Sequence, residues 1–258
     1  MNDQSELPAL ILDRCALFFD VDGTLAEIQP RPELVFIPPD ALKALGRLAA
    51  EGIPVALISG RPLAQIDQLA APLRLPAAGV HGTERRTVDG EILRLALDAE
   101  RLSAIERELA AACAELPGLH LENKQVAFAL HYRLAPELES SARALAEDFA
   151  SRHADVLALQ PGKCVFELKP RGASKGEVIR AFMQEAPFHG RCPVFIGDDL
   201  TDEAGFEVVN AMHGLSIKVG PGQTLASRRL ESVAAVGCWL DGLTSDLPER
   251  GQSIQQPD

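Results

Sequence analysis

A chain of 258 residues with 47% apolar side chains is long enough for one large α/β domain, or one domain plus an insert, around an ample core. Its net charge of −12, from 25 basic and 37 acidic residues, disfavours bulk attraction to nucleic acid or an anionic membrane, so any phosphate chemistry must use local positive groups. No N-terminal stretch joins basic residues to an apolar core and a cleavage site, and no apolar run nears the roughly 20 residues that span a bilayer, so a cytoplasmic protein is expected.

Residues 1–14 read as an arm leading to the first strand. Cys15 to Phe19 is an apolar run suited to a strand buried on both faces of a parallel sheet, and it discharges into Asp20-Val21-Asp22-Gly23-Thr24-Leu25. Ligands of open α/β sheets bind outside the carboxyl ends of the strands, which puts Asp20 and Asp22 in a crevice, with Gly23 permitting the turn. There Asp20 can serve as a nucleophile and Asp22 as general acid and base. Taken alone, Asp-x-Asp-Gly is better explained as a turn, because Asp and Gly are ordinary turn formers. Three further strand ends alter that balance.

Ala26 to Pro39 carries four prolines and is expected to be an irregular loop, followed by a helix capped by Asp40 that ends before Gly52. Pro54 to Ile58 is the second strand. It ends in Ser59-Gly60-Arg61-Pro62, which sets a hydroxyl and free backbone N–H groups at a helix N-terminus, an anion site as readily as a plain cap. Ala77 to Val80 is a third strand, ending in His81-Gly82.

From Thr83 the pattern changes. A hairpin turning at Asp89-Gly90 is expected, then a helix over 98–115, strands near 119–124 and 125–133, a helix near 136–153, and a strand pair turning at Pro161-Gly162. This is an antiparallel αββ, αββ module, read as an inserted cap. Val126, Phe128, Leu130 and Tyr132 alternate with Ala127, Ala129, His131 and Arg133, as Phe166 and Leu168 do with Glu167 and Lys169. Two helices can cover the apolar face. Glu122, Lys124, His131, Arg133, Glu167 and Lys169 then stand on the other, which is either a solvated face or a binding face closing over Asp20.

Ser174-Lys175-Gly176-Glu177 opens a helix with a capping box. Lys175 opposes the helix dipole and Gly176 lowers helix propensity, two local infractions that point to a phosphate-holding lysine. Val194 to Gly197 is the next strand, ending in Asp198-Asp199-Leu200-Thr201-Asp202-Glu203, with Thr201 able to cap the following helix. Four carboxylates at neighbouring strand ends, Asp20, Asp22, Asp198 and Asp199, call for a divalent cation, most naturally Mg²⁺ with hard oxygen ligands. Leu215 to Val219 is the last expected strand, followed by Gly220-Pro221-Gly222 and a helix, and 244–258 reads as a disordered tail. Five scattered cysteines (Cys15, Cys113, Cys164, Cys192 and Cys238) have no Cys-x-x-Cys spacing and read as small core residues.

Asp20-x-Asp22-Gly23-Thr24-Leu25, Ser59-Gly60-Arg61, Lys175-Gly176 and Gly197-Asp198-Asp199-x-Thr201-Asp202-Glu203 resemble, in this order, the four signatures of haloacid dehalogenase-like (HAD) phosphatases. Val80-His81-Gly82-Thr83-Glu84, Glu122-Asn123-Lys124, Ala129-Leu130-His131-Tyr132-Arg133 and Glu167-Leu168-Lys169-Pro170 are similar to segments of trehalose-6-phosphate phosphatases. The resemblance implies an α/β fold: a Rossmann-like HAD core over 1–82 and 171–243, with a parallel sheet and helices on both faces, and an α+β cap over 83–170. It implies Asp20 as nucleophile, Asp22 as acid and base, and Mg²⁺ on Asp20, the Asp22 main-chain carbonyl and Asp198, with Asp199 or Asp202 orienting ligand water or Lys175. Ser59 and Lys175 would hold phosphate oxygens, Gly60, Arg61, His81 and Asp202 would also bind the substrate, and the cap residues Glu122, Lys124, His131, Arg133, Glu167 and Lys169 would hold a sugar. The expected partner is a small sugar phosphate, with no nucleic acid or membrane, and the protein is expected to be a monomer. Another sugar phosphatase, a phosphomutase or a receiver-like phosphoacceptor module are the alternatives.

Overall fold

The structure, a computed structural model, describes residues 7–95, 98–123, 126–162, 164–245 and 247. In chain order its elements are β1 (Cys15–Phe19), α1 (Pro39–Ala50), β2 (Val55–Ile58), α2 (Leu63–Ala70), β3 (Ala77–Gly79), β4 (Glu84–Arg86) and β5 (Ile92–Arg94). Then follow α3 (Ala99–Ala114), β6 (His120–Asn123), β7 (Phe128–His131), α4 (Glu139–Arg152), β8 (Leu157–Gly162) and β9 (Val165–Pro170). The chain closes with α5 (Lys175–Met183), β10 (Cys192–Gly197), α6 (Glu203–Ala211), β11 (Leu215–Val219), β12 (Arg228–Leu230) and α7 (Val233–Ser245).

The larger sheet has the order β12-β11-β10-β1-β2-β3-β4-β5, parallel from β12 to β3. β1 lies near its middle and every one of its residues is buried, which the strand's period of two turns into two cores. Leu17 and Phe19 pack with Leu45, Leu48, Ile66 and Leu240 under α1, α2 and α7. Phe18 faces the other way, among Phe182, Phe188, Phe195 and Phe206 under α5 and α6. Each such side chain contributes about 1.5–3 kcal/mol by leaving water, so the strand that carries Asp20 is anchored from both sides. Among the described residues no helix is long and apolar enough to cross a membrane.

The second sheet is antiparallel, β6-β7-β9-β8. Phe128, Leu130, Tyr132, Phe166 and Leu168 share one hydrophobic cluster with Ile105 and Leu109 of α3 and with Ala146 and Phe149 of α4. The alternating pattern of the sequence is therefore a true core face here.

Several expectations are corrected. The hairpin after Thr83 does form, with Gly90 at φ +86°, but β4 pairs with β3 and extends the larger sheet, so the inserted unit has its own core only from α3 onward. Of the cap strands expected near 119–124 and 125–133, β6 starts at His120 and β7 covers only Phe128–His131, with 124 and 125 outside the described residues, and the β8–β9 turn falls after Gly162, because Pro161 and Gly162 are still paired with Phe166 and Val165. β12 was not foreseen. Pro39 begins α1, which leaves Asp40 inside its first turn, and Asp199 rather than Thr201 receives the backbone at the turn before α6. α7 runs through Ser245 with Thr244 buried, so the expected tail starts too early, and 246 and 248–258 lie outside the described residues.

Candidate active site

Asp20 leaves the end of β1 as a buried carboxylate, and its Oδ1 accepts a 2.6 Å hydrogen bond from Lys175 Nζ. The same ammonium donates at 2.6 Å to Asp202 Oδ1. Lys175 is the first residue of α5, whose Ser174 cap accepts from Glu177 N–H, so the helix start aims the lysine into the crevice. Gly176 has a packing reason rather than a chemical one: a Cβ there would stand 2.4 Å from the Ala204 carbonyl oxygen of α6. Asp202 is fully buried, and its Oδ2 accepts the N–H groups of Asp198 and Asp199 at 2.9 and 3.0 Å. One carboxylate thus fixes both the lysine and the loop at the end of β10.

Asp20, Asp198 and Asp202 each offer a carboxylate oxygen, all within 4.8 Å of one another. Burial pushes these acids up, Asp20 and Asp198 to about 7 and Asp202 to about 8; nearby carboxylates add to this and Lys175 opposes it. Lys175 itself is raised, because Asp20 and Asp202 outweigh the burial that disfavours its charge. Among the described residues, none donates a hydrogen bond to the buried Asp198 Oδ1. A hard divalent cation fits this donor set, since it would relieve the repulsion and satisfy the orphaned oxygen. Gly23, at φ +84°, leaves the space that the Asp198 carboxylate occupies.

The other expected acids are engaged elsewhere. Asp22 faces Arg61 in a two-point pair, 2.6 Å from Nε and 2.6 Å from an Nη, and Asp199 accepts from Thr201 N–H and hydroxyl at 2.8 and 2.6 Å. The carboxylates gathered at one point are therefore Asp20, Asp198 and Asp202, with the side chains of Asp22 and Asp199 turned to these partners. An Asp22 main-chain ligand is compatible with its side chain on Arg61.

Ser59 is buried at the end of β2, and its hydroxyl accepts the Arg61 N–H at 3.1 Å. Part of the expected anion site at the start of α2 is taken by the protein itself, because Glu84 Oε1 accepts Leu63 N–H at 2.6 Å. Asp20, Asp22, Ser59, Gly60, Arg61, His81, Lys175, Asp199 and Glu122 of β6 line one cavity of about 520 Å³. The smaller sheet thus borders the same space as Asp20.

On that sheet Glu122, Ala129, Glu167 and Gln160 lie in one cross-strand row, with His131 and Lys169 on the same face. His131 Nε2 is 2.8 Å from Glu122 Oε2, and Glu167 Oε2 is 3.8 Å from His81 Nε2. Burial lowers the Lys169 ammonium, as does Lys175, while Glu167 and Asp199 raise it. Of these expected cap residues, among those described, only Glu122 lines the cavity; His131, Glu167, Lys169 and Arg133 do not, and Arg133 differs further in lying exposed in the turn beyond β7. Lys124 lies outside the described residues.

Residues 18–234 match the family model described as trehalose-phosphatase. The chain is 50% identical over 244 residues to the trehalose-6-phosphate phosphatase of Escherichia coli (strain K12), spanning 94% of this chain and 91% of that one. The chain belongs to the trehalose-phosphatase family. The solved C-terminal domain of the C. albicans trehalose-6-phosphate phosphatase, 23% identical, superposes with a TM-score of 0.76 over 90% of this chain and 93% of that one, which shows the same fold. A solved Aspergillus fumigatus trehalose-6-phosphate phosphatase, 27% identical, gives 0.72 over the same shares, 90% and 93%.

Two residues of this trehalose-phosphatase family member were not singled out from the sequence. Lys218 is buried near the end of β11 and donates to the main-chain carbonyls of Asp198 and, at 3.1 Å, Val219. A lysine inside the apolar Leu215–Val219 run was the available signal. Asn123, beside Glu122, also lines the cavity.

Proposed function

We propose that this phosphatase hydrolyses trehalose 6-phosphate to trehalose and phosphate, the last step of trehalose biosynthesis, through an aspartyl-phosphate on Asp20. The observation that carries this reading is the shared cavity: Asp20, Ser59 and Lys175 stand at its base, and Glu122 of the smaller sheet stands at its rim. The family membership supplies the substrate class.

Asp20 Oδ attacks phosphorus as the P–O bond to the sugar breaks, and Asp22 gives the departing oxygen its proton. Asp22 then takes a proton from water, whose oxygen attacks the same phosphorus and returns Asp20 as carboxylate. Arg61 occupies both Asp22 carboxylate oxygens through two hydrogen bonds, so the clasp must open before Asp22 can face the departing oxygen. Ser59 and Lys175 bind phosphoryl oxygens, and Lys175 also keeps Asp20 aimed into the cavity. Asp202 holds Lys175 and the Asp198–Asp199 backbone in register. Mg²⁺, held by Asp20, Asp198 and the Asp22 carbonyl, would neutralise charge on the transferring phosphoryl group.

The module from α3 to β9 serves as the cap. Glu122, Lys124, His131, Glu167 and Lys169 grip the sugar while the larger sheet performs the chemistry, and the enzyme works as a cytoplasmic monomer. The deciding experiment is phosphate release from trehalose 6-phosphate beside glucose 6-phosphate and mannose 6-phosphate. Preference for either monosaccharide would remove the assignment and leave a general sugar phosphatase.

A further inference from the structure

Val80, His81 and Gly82 follow one another with φ of +46°, +54° and +106°. Glycine accepts such angles, but a β-branched residue and a histidine adopt them only where the surroundings demand it. What they hold is visible. Val80 N–H donates to Arg61 O at 3.0 Å and His81 N–H to Ser59 O at 3.1 Å, so the left-handed turn grips the loop that carries Ser59, Gly60 and Arg61.

The imidazole lies directly on that loop. A Cβ on Gly60 would stand 2.7 and 2.8 Å from His81 Cε1 and Nε2, so only glycine leaves room for the ring. The same Nε2 faces Glu167 Oε2 of β9 at 3.8 Å, with both side chains about nine-tenths buried. That distance is just beyond a hydrogen bond, and contacts of this kind commonly tighten when substrate arrives. We infer that His81 is a positioning residue that registers the sugar-facing sheet against the phosphate loop, through the contacts its ring makes with Glu167 and with Gly60. The role rests on the proposed sugar-phosphate reading, because registering the two faces matters only when one substrate touches both. Glu167 holding a sugar hydroxyl then sets where phosphorus sits above Asp20. Simple hole-filling by the ring is the competing account.

His81→Gly separates the two, since glycine keeps the left-handed backbone without strain and deletes the imidazole. The variant should melt no lower than the wild type. Its kcat for trehalose 6-phosphate should fall roughly ten- to a hundredfold, the range expected for a misplaced reacting group, with a smaller loss on nitrophenyl phosphate. His81→Asn, which tolerates the same backbone and restores a donor, should recover part of it. Glu167→Gln should add little in the His81→Gly background; losses that simply multiply would show two independent residues and overturn the inference. A lowered melting point with equal losses on both substrates would leave only hole-filling. Amide exchange of peptide 59–62 needs no sugar, and should respond to Glu167→Gln only when residue 81 is His. Wild-type turnover of trehalose 6-phosphate tests the reading separately, so a failed substrate and a failed register give different results.

Discussion

The two walls of the cavity are built on different principles. At the ends of β1 and β10 each group is buried and held by a neighbour: Asp20 by Lys175, Lys175 by Asp202, and the Asp198–Asp199 backbone by Asp202. On the smaller sheet Glu122 is exposed against the His131 ring, at the solvent end of a row in which Glu167 is buried. Buried partners fix atoms to fractions of an ångström, which phosphoryl transfer requires. Exposed side chains keep their water until a ligand replaces it, which suits recognition of hydroxyl groups. The proposed function therefore gives chemistry to the preorganised wall and selectivity to the other.

The largest expected effect lies at the centre of the rigid wall. Asp20→Asn removes the attacking oxygen and should abolish both turnover and covalent labelling. Asp22→Asn should slow both steps yet still form a phosphoenzyme from nitrophenyl phosphate, whose leaving group needs no proton. Rapid-quench mass spectrometry separates them, and a phosphoryl adduct in the Asp20→Asn protein would sink the assignment of the nucleophile.

The cation comes next. Chelation should remove activity and Mg²⁺ should restore it, and Asp198→Ala should raise the Mg²⁺ requirement steeply, because a ligand and a negative charge go together. Since burial holds Asp20 and Asp198 protonated up to about 7, protons and Mg²⁺ compete for the same oxygens below that pH. Calorimetric Mg²⁺ affinity should therefore weaken from pH 8 to pH 6. An affinity that is flat over that interval would mean that these carboxylates do not ligate.

How much of this contrast was legible beforehand follows the same division. Strand ends that finish in Asp20, Ser59 and Asp198 could be read because an apolar run stops abruptly at a polar side chain, and the sheet places all three together. Partnerships were not legible. That Asp22 turns to Arg61, that Glu84 reaches the start of α2, and that Lys218 supports the Asp198 carbonyl all join residues far apart in sequence. The hairpin at Asp89-Gly90 was visible as a turn, but its sheet was not, because local pattern does not say which edge a strand joins. Gly176 looks in the sequence like a functional infraction, whereas the crossing with α6 accounts for it.

On the recognition wall the effects should be smaller and selective. Glu167→Ala should leave a sugar hydroxyl without its partner, as should Lys124→Ala outside the described residues, about 1–3 kcal/mol of transition-state binding for each hydrogen bond. By that rough measure trehalose 6-phosphate hydrolysis falls about tenfold or more, while nitrophenyl phosphate, which has no second glucose, loses much less. Equal losses on both substrates would erase the distinction between the two walls.

The smallest effect is the sharpest test of where the recognition wall ends. Arg133 follows His131 at the period-two spacing that put both on one face in the sequence, but β7 stops at His131 and Arg133 enters an exposed turn. Periodicity assigns a face only while the strand continues. Arg133 is exposed and stands outside the cavity lining, so Arg133→Ala should leave kcat/KM for trehalose 6-phosphate within about twofold and stability within about 0.5 kcal/mol. Glu122→Ala, at the rim of the cavity, should cost more on that substrate. Measured side by side, the two variants locate the boundary. If Arg133→Ala costs as much as Glu122→Ala, the sugar reaches past the end of β7, and the smaller sheet must close further over Asp20 than its position here allows.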